Sequence, residues 1–175
     1  MPISMYSVSV PVCRTMLENL SHFLTKTTVF IDAKKCDPTA LTRFRLAPDM
    51  LDFTRQVQIA CDAAKNGIAR LSGIEAPKFE DKETTIEELQ TRIQKTLEFI
   101  ATVPASAIEG TEAKEITFPA GPNKTRTMLG EAYLKHWMLP NLFFHTTTAY
   151  AMLRHNGVDV GKIDYLLGSQ AETLH

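Results

Sequence analysis

The sequence predicts an all-α protein: a four-helix bundle with a small β-hairpin inserted before the last helix. Apolar residues recur three and four apart in four separate stretches, the period of a helix with one buried face. Clear stop signals close three of these stretches: Gly73, Pro104 and the pair Asn156-Gly157. Only Glu115-Ile-Thr-Phe and Thr125-Arg-Thr-Met alternate in period two, with Gly121-Pro-Asn between them, which reads as a hairpin.

The first helix is expected over about Met5 to Asp32, with Cys13, Leu17, Leu20, Leu24 and Thr27 on one stripe. Pro11 should bend it or delay its start. His22 falls off that stripe and reads as a surface or boundary residue. Lys34 to Ala47 reads as a loop carrying one short helical turn, Ala40 to Phe44. The second helix is expected from Pro48, a favoured first helical position. Its stripe runs Met50, Phe53, Val57, Cys61, Ala64, Ile68 and Leu71, and Gly73 stops it.

Residues 74–83 read as a polar linker in which Phe79 can plug the end of the bundle. Thr84 or Thr85 with Glu87 or Glu88 forms a capping box for the third helix. Ile86, Leu89, Ile93, Leu97 and Ile100 supply its stripe, and the face with Glu87, Gln90, Arg92, Lys95 and Glu98 is expected to be solvated. The fourth helix follows Gly130, and residues 158–175 form a tail packed along the bundle or on a partner. The whole chain, 1–175, is expected to be one domain.

Composition excludes several classes. With 19 basic and 20 acidic residues the net charge is −1, so no electrostatic argument favours nucleic acid or an anionic membrane. No apolar run approaches the length of a membrane span, and the first residues lack the basic and apolar regions of a secretory signal. Three widely spaced cysteines, Cys13, Cys36 and Cys61, suit reduced thiols in a cytoplasmic protein. The chain carries no G-x-S-x-G, P-loop, dinucleotide fingerprint or H-E-x-x-H.

The stretch Tyr133 to Gly157 holds the only Trp and three of the five His residues. Pro140 should kink its helix or start a new one. Arg154 and His155 complement the dipole at its end. His136 and His145 are nine apart, on opposite sides of a straight helix, and His175 is expected to be disordered. Asn141 and His145 are four apart and share a face. Two readings of His145 stand. One is a core histidine bonded to another helix, holding the bundle in register. The other is a ligand pocket between helices, shared with Asn141 and a polar group of the second helix. Gln58 and Asp62 flank the second helix's stripe and are candidates for that group, although Asp62 also suits an ordinary pair with Lys65. Tyr150 offers a further donor, or an aromatic core or interface residue.

These motifs resemble a known family. Asn141-Leu-Phe-Phe-His145 through Leu153-Arg154-His155-Asn156-Gly157 is similar to the last helix of the DinB/YfiT-like metalloenzyme superfamily. Met5-Tyr-Ser, Leu46-Ala-Pro-Asp-Met50, Arg55-Gln-Val-Gln-Ile59, Pro77-Lys-Phe and Pro140-Asn-x-x-Phe-His145 resemble a bacterial family of unknown function within it. The resemblance implies an up-down-down-up bundle, often a homodimer, with a metal held by a His of the second helix and an H-x-x-x-H pair of the fourth. Aligned on Leu-Arg-x-x-Gly, that pair falls on Asn141 and His145, and the second-helix His falls near Gln58.

One of three imidazoles remains, and amide oxygens are poor ligands for zinc or nickel. The expected metal set is therefore none, with zinc or nickel possible but not favoured. Two functions follow. The chain is a degenerate member of a metal-dependent superfamily with a small-molecule pocket at Gln58, Asn141 and His145, or it is a non-catalytic dimeric binding or structural module. The Phe143–Phe144 and Trp137–Met138 pairs put apolar groups around most of the fourth helix, so a homodimer interface is expected there.

Overall fold

The computed structural model describes residues 3–173, and His175 lies outside them. In chain order the elements are α1 (Val10–Lys34), a single turn α2 (Thr39–Thr42), α3 (Phe53–Ser72) and α4 (Ile86–Ala101). Strands β1 (Glu115–Pro119) and β2 (Thr125–Leu129) follow, then α5 (Gly130–Tyr133), α6 (Leu139–His155) and α7 (Lys162–Leu167). None of these helices is long and apolar enough to cross a membrane.

Local chemistry sets the ends of the long helices. Pro11 occupies the first turn of α1, where its missing N–H has no intrahelical partner to lose. The second long helix starts at Phe53, five residues later than the Pro48 expected. Asp52 provides what Ala47 cannot, a side chain that accepts the Arg55 N–H at 3.0 Å. Gly73 ends α3 in the left-handed region, φ 81°, and returns its N–H to Ala69. Thr85 and Glu88 form the capping box of α4. In the hairpin, β1 and β2 are antiparallel with Ile116 opposite Met128, and Ile116 and Phe118 point into the core.

Contacts along the helices give their directions. Phe23 meets Tyr150 and Phe30 meets Gly157, so α1 and α6 run parallel. Gln56 meets His145 and Gly67 meets Met138, so α3 and α6 run antiparallel. Asp52 and Thr54 at the start of α3 share a cleft with Thr84 and Thr85 at the start of α4, and Cys61 further along lies against Thr96, so α3 and α4 run parallel. The order is up-down-down-up. The core fills the middle of the four helices with Leu17, Leu20, Leu24, Val57, Ile68, Leu89, Ile93 and Leu142, all sealed from water. Gly67 lets α6 approach α3 closely, since a Cβ there would lie 2.6 Å from Met138 Cγ.

Pro140 lies in the first turn of α6, which starts at Leu139, as the sequence leads one to expect. It has no N–H to give the His136 carbonyl four residues back, and its ring crowds that carbonyl. The chain answers with a π-turn over Leu134–Met138, which joins α5 to α6. The wider turn carries Trp137, whose ring packs on Phe118 at 4.9 Å.

A parallel α3–α4 pair requires the connecting chain to travel back the length of a helix. Residues 74–85 do so without regular secondary structure and are strapped down by Arg92. The α4 face holding Arg92 is therefore not simply solvated. The Arg92 side chain is 1% exposed, with Nη1 donating to Asp81 (2.7 Å) and Glu83 (3.0 Å) and Nη2 to Asp62 (2.9 Å). Arg55 adds a bond to Asp81, Lys65 pairs with Asp62, and Phe79 lies across Arg92 and Lys65 rather than at the bundle's end. Burial opposes charge on Asp81, but hydrogen bonds from Arg55 and Arg92 outweigh it and hold its carboxyl below the usual range. Glu83 is held down against burial by a backbone bond and by Arg92 and Gln58.

The tail also differs from a loose end. α7 lies on α1 and covers His22, which is buried rather than at the surface. Its Nε2 meets Asp164 Oδ1 at 3.0 Å, and Lys26 Nζ meets the same oxygen at 2.9 Å. Asp164 Oδ2 accepts the Gly161 N–H at 2.6 Å, so one carboxylate both starts α7 and docks it.

Arg92→Met keeps the length of the side chain and removes its charge. The carboxylates it leaves are partly wetted, Asp62 being 28% exposed, so the cost should fall below that of a fully sealed pair. We expect a loss of about 2–4 kcal/mol in urea unfolding, with Lys95→Met on the same helix within about 0.5 kcal/mol of the parent. Equal effects from the two substitutions would contradict the strap.

Candidate functional site

His145 sits mid-way along α6 against the start of α3. Its Nδ1 lies 2.7 Å from Gln56 Oε1, and Gln56 Nε2 donates to the Leu51 carbonyl at 3.0 Å. The second bond orients the amide, so its oxygen faces the ring and Nδ1 must carry the proton. Nε2 is then the bare nitrogen. It has no hydrogen-bond partner among the described residues and is not sealed from solvent. Burial, with the positive Arg55 nearby, pushes the ring's pKa down to about 4, so it is neutral at pH 7. The Phe144 ring stands edge-on to it at 5.1 Å.

The second-helix partner of His145 is thus Gln56, and Gln58 points elsewhere. Gln58 Oε1 accepts from Arg55 at 2.6 Å and its Nε2 donates to Glu83 at 2.7 Å, which places it under the strap. Two residues along a helix turn the side chain about 200° away. Asp62 belongs to the same network, on Arg92 and Lys65. Tyr150 is one of three packed aromatic rings with Phe23 and Tyr165. Asn141 lies one turn before His145 and lines a separate cleft of about 140 Å³ between α3, α6 and the hairpin.

That cleft brings Asn141 and Asp62 together with Asn66, Arg70, Tyr133 and Trp137. Neither His145 nor Gln58 lines it, so the five sequence candidates divide among four places. A larger cleft, about 380 Å³, runs beside the strap and is lined by charges of both signs. Sequence reasoning missed Gln56, Arg70 and Tyr133. The flanking position of Gln56 between Phe53 and Val57 was a usable signal, because a residue there borders the buried stripe. Arg70 and Tyr133 are 63 residues apart in sequence, and no local pattern links them.

The depressed ring pKa has a signed consequence. The unfolded chain binds a proton near the ordinary value of 6.5, while the folded ring resists it until about 4. The stabilisation is complete above about pH 6.5 and is lost as pH falls from there towards 4, with a ceiling on the order of 3 kcal/mol. The depressed carboxylates lose theirs at lower pH, as they protonate. Urea unfolding across this window should therefore be flatter in His145→Gln than in the parent. Parallel pH profiles would show that the ring is not held neutral.

A family model described as Domain of unknown function (DUF1993) matches residues 5–166. A solved structure of a DinB family member protein from Shewanella denitrificans is 42% identical, with a TM-score of 0.85 over 92% of this chain and 90% of that one. No curated protein matches. The helical bundle, the hairpin before its last long helix and these two likenesses agree: the chain belongs to the family described as Domain of unknown function (DUF1993), within the DinB-like superfamily.

Proposed function

We propose that this protein is a DinB-like bundle that binds a small molecule without a catalytic metal, through the His145 ring. The observation that carries the reading is the fixed tautomer of His145. Its Nδ1–H is held by Gln56 and its Nε2 lone pair is free. A metal-bound histidine is oriented in this same way, but the surrounding donors do not fit zinc or nickel. Gln56 Oε1 is taken by the ring itself, Gln58 by Arg55 and Glu83, and Asp62 by Arg92 and Lys65. Only the Asn141 amide remains of the expected set, and it is a poor ligand for either ion. A base with a pKa of about 4 is also weak at neutral pH. The arrangement suits accepting a hydrogen bond better than moving a proton, which favours binding over catalysis.

Equilibration with zinc or nickel, dialysis and elemental analysis should leave far less than one equivalent per chain. A full equivalent that disappears in His145→Ala would defeat the proposal and restore the metalloenzyme reading.

A second reading concerns assembly. Phe144 is 56% exposed and Phe143 36%, on the part of α6 that carries His145. Large apolar groups left in water mark interfaces, and a homodimer through this face would cover them. Light scattering should then give twice the 19.6 kDa chain mass, falling to the monomer in Phe144→Glu. A parent protein that is already monomeric at tens of micromolar, roughly where weak dimers form, contradicts it.

A further inference from the structure

The cleft beside the hairpin holds a cation whose partners are unusual. Arg70 Nη1 donates to the Tyr133 hydroxyl at 2.9 Å, and the guanidinium lies 5.7 Å from the Phe118 ring centre. It makes no salt bridge among the described residues, although it is half-buried. Its remaining N–H groups are fixed in direction by these two contacts, so the fork is oriented in advance for an acceptor. Tyr133 is buried and accepts from Arg70, which leaves its own O–H free to donate beside the guanidinium. Burial pushes that phenol's pKa up, so it keeps its proton.

The rest of the cleft sets size and character. Trp137, carried by the π-turn, and Met138 supply an apolar wall, while Asn66 and Asn141 contribute carboxamides. Asp62 lies at the far end, but its charge is matched by Arg92 and Lys65 and offers little repulsion to an anion. A volume of about 140 Å³ is close to that of an engineered cavity that takes benzene, roughly 150 Å³.

We propose that this cleft binds a small carboxylate with an apolar body of about benzene size, the carboxylate on Arg70 and Tyr133 and the body against Trp137. The inference uses a different place from the His145 reading above and does not need that ring. A bare inorganic anion would leave the Trp137 wall unused.

Trp137 is the only tryptophan in the sequence, so its fluorescence reports on this cleft directly. The intact chain is titrated with benzoate, with benzamide as the neutral isostere and with inorganic phosphate. Benzoate should give a saturable change, with benzamide and phosphate at least about tenfold weaker. Arg70→Gln should weaken benzoate by a similar factor. Tyr133→Phe keeps the ring and should weaken it about threefold, as expected for one lost hydrogen bond. It serves as the test if Arg70→Gln does not fold. His145→Ala should bind benzoate within about twofold of the parent, which separates this inference from the His145 reading: the inference survives if benzoate binds and His145 proves irrelevant. A linear, unsaturable change with benzoate overturns it, as does equal binding of benzamide or phosphate. Unchanged binding in both Arg70→Gln and Tyr133→Phe also overturns it.

Discussion

The parallel run of α3 and α4 is the constraint on which the bundle depends. Two consecutive helices joined by a short turn must be antiparallel, and a parallel pair needs a connection as long as the helix. α3 has 20 residues, about 30 Å. Residues 74–85 are enough chain to span that distance. An irregular segment on a helical surface has no ladder of its own, so side chains must hold it. Arg92, Arg55 and Lys65 do this against Asp62, Asp81 and Glu83, three charges of each sign. Such a network gives more definition of register than net stability, because each buried charge gives up water. Arg92 Nε has no partner among the described residues, so even here the geometry is not complete.

The helices, their order and the hairpin were legible because they rest on periodicity, capping and turn chemistry, all local. The Phe53, Val57, Cys61, Ala64, Ile68 and Leu71 stripe of α3 is wholly buried, as its spacing requires. The polar interior was not legible, because its partners are distant in sequence: Arg92 and Asp62 by 30 residues, His145 and Gln56 by 89, His22 and Asp164 by 142. A charged residue next to a stripe reads as solvated unless its counter-charges are known to arrive. Arg92 is three residues after Leu89 and four before Thr96, so it borders the buried face closely enough to be drawn in once the strap covers it.

The candidate site shows the same division. Asn141 and His145 share a face in sequence and in structure, yet they look into different surroundings, because α3 meets them at two levels. At the level of Gln56 one ring nitrogen is bonded to the amide and the other has no partner among the described residues. A turn away, at Asp62 and Asn66, the helices part enough for the hairpin to roof a cleft. The π-turn is what makes the roof fit, since it rotates Trp137 against Phe118 where Pro140 denies the chain an ordinary turn.

The docking of α7 on α1 bears on how the chain is made. His22 and Lys26 of α1 wait for a carboxylate 142 residues further on. At roughly 5–20 residues per second, a ribosome takes some 7–30 s to supply it. During that time α1 can already pack on α4, while its parallel neighbour α6 and the docking of α7 are still to come. Contacts this distant also slow folding itself, because loop closure precedes any reward from the contact. The first helix synthesised is therefore among the last to be completed.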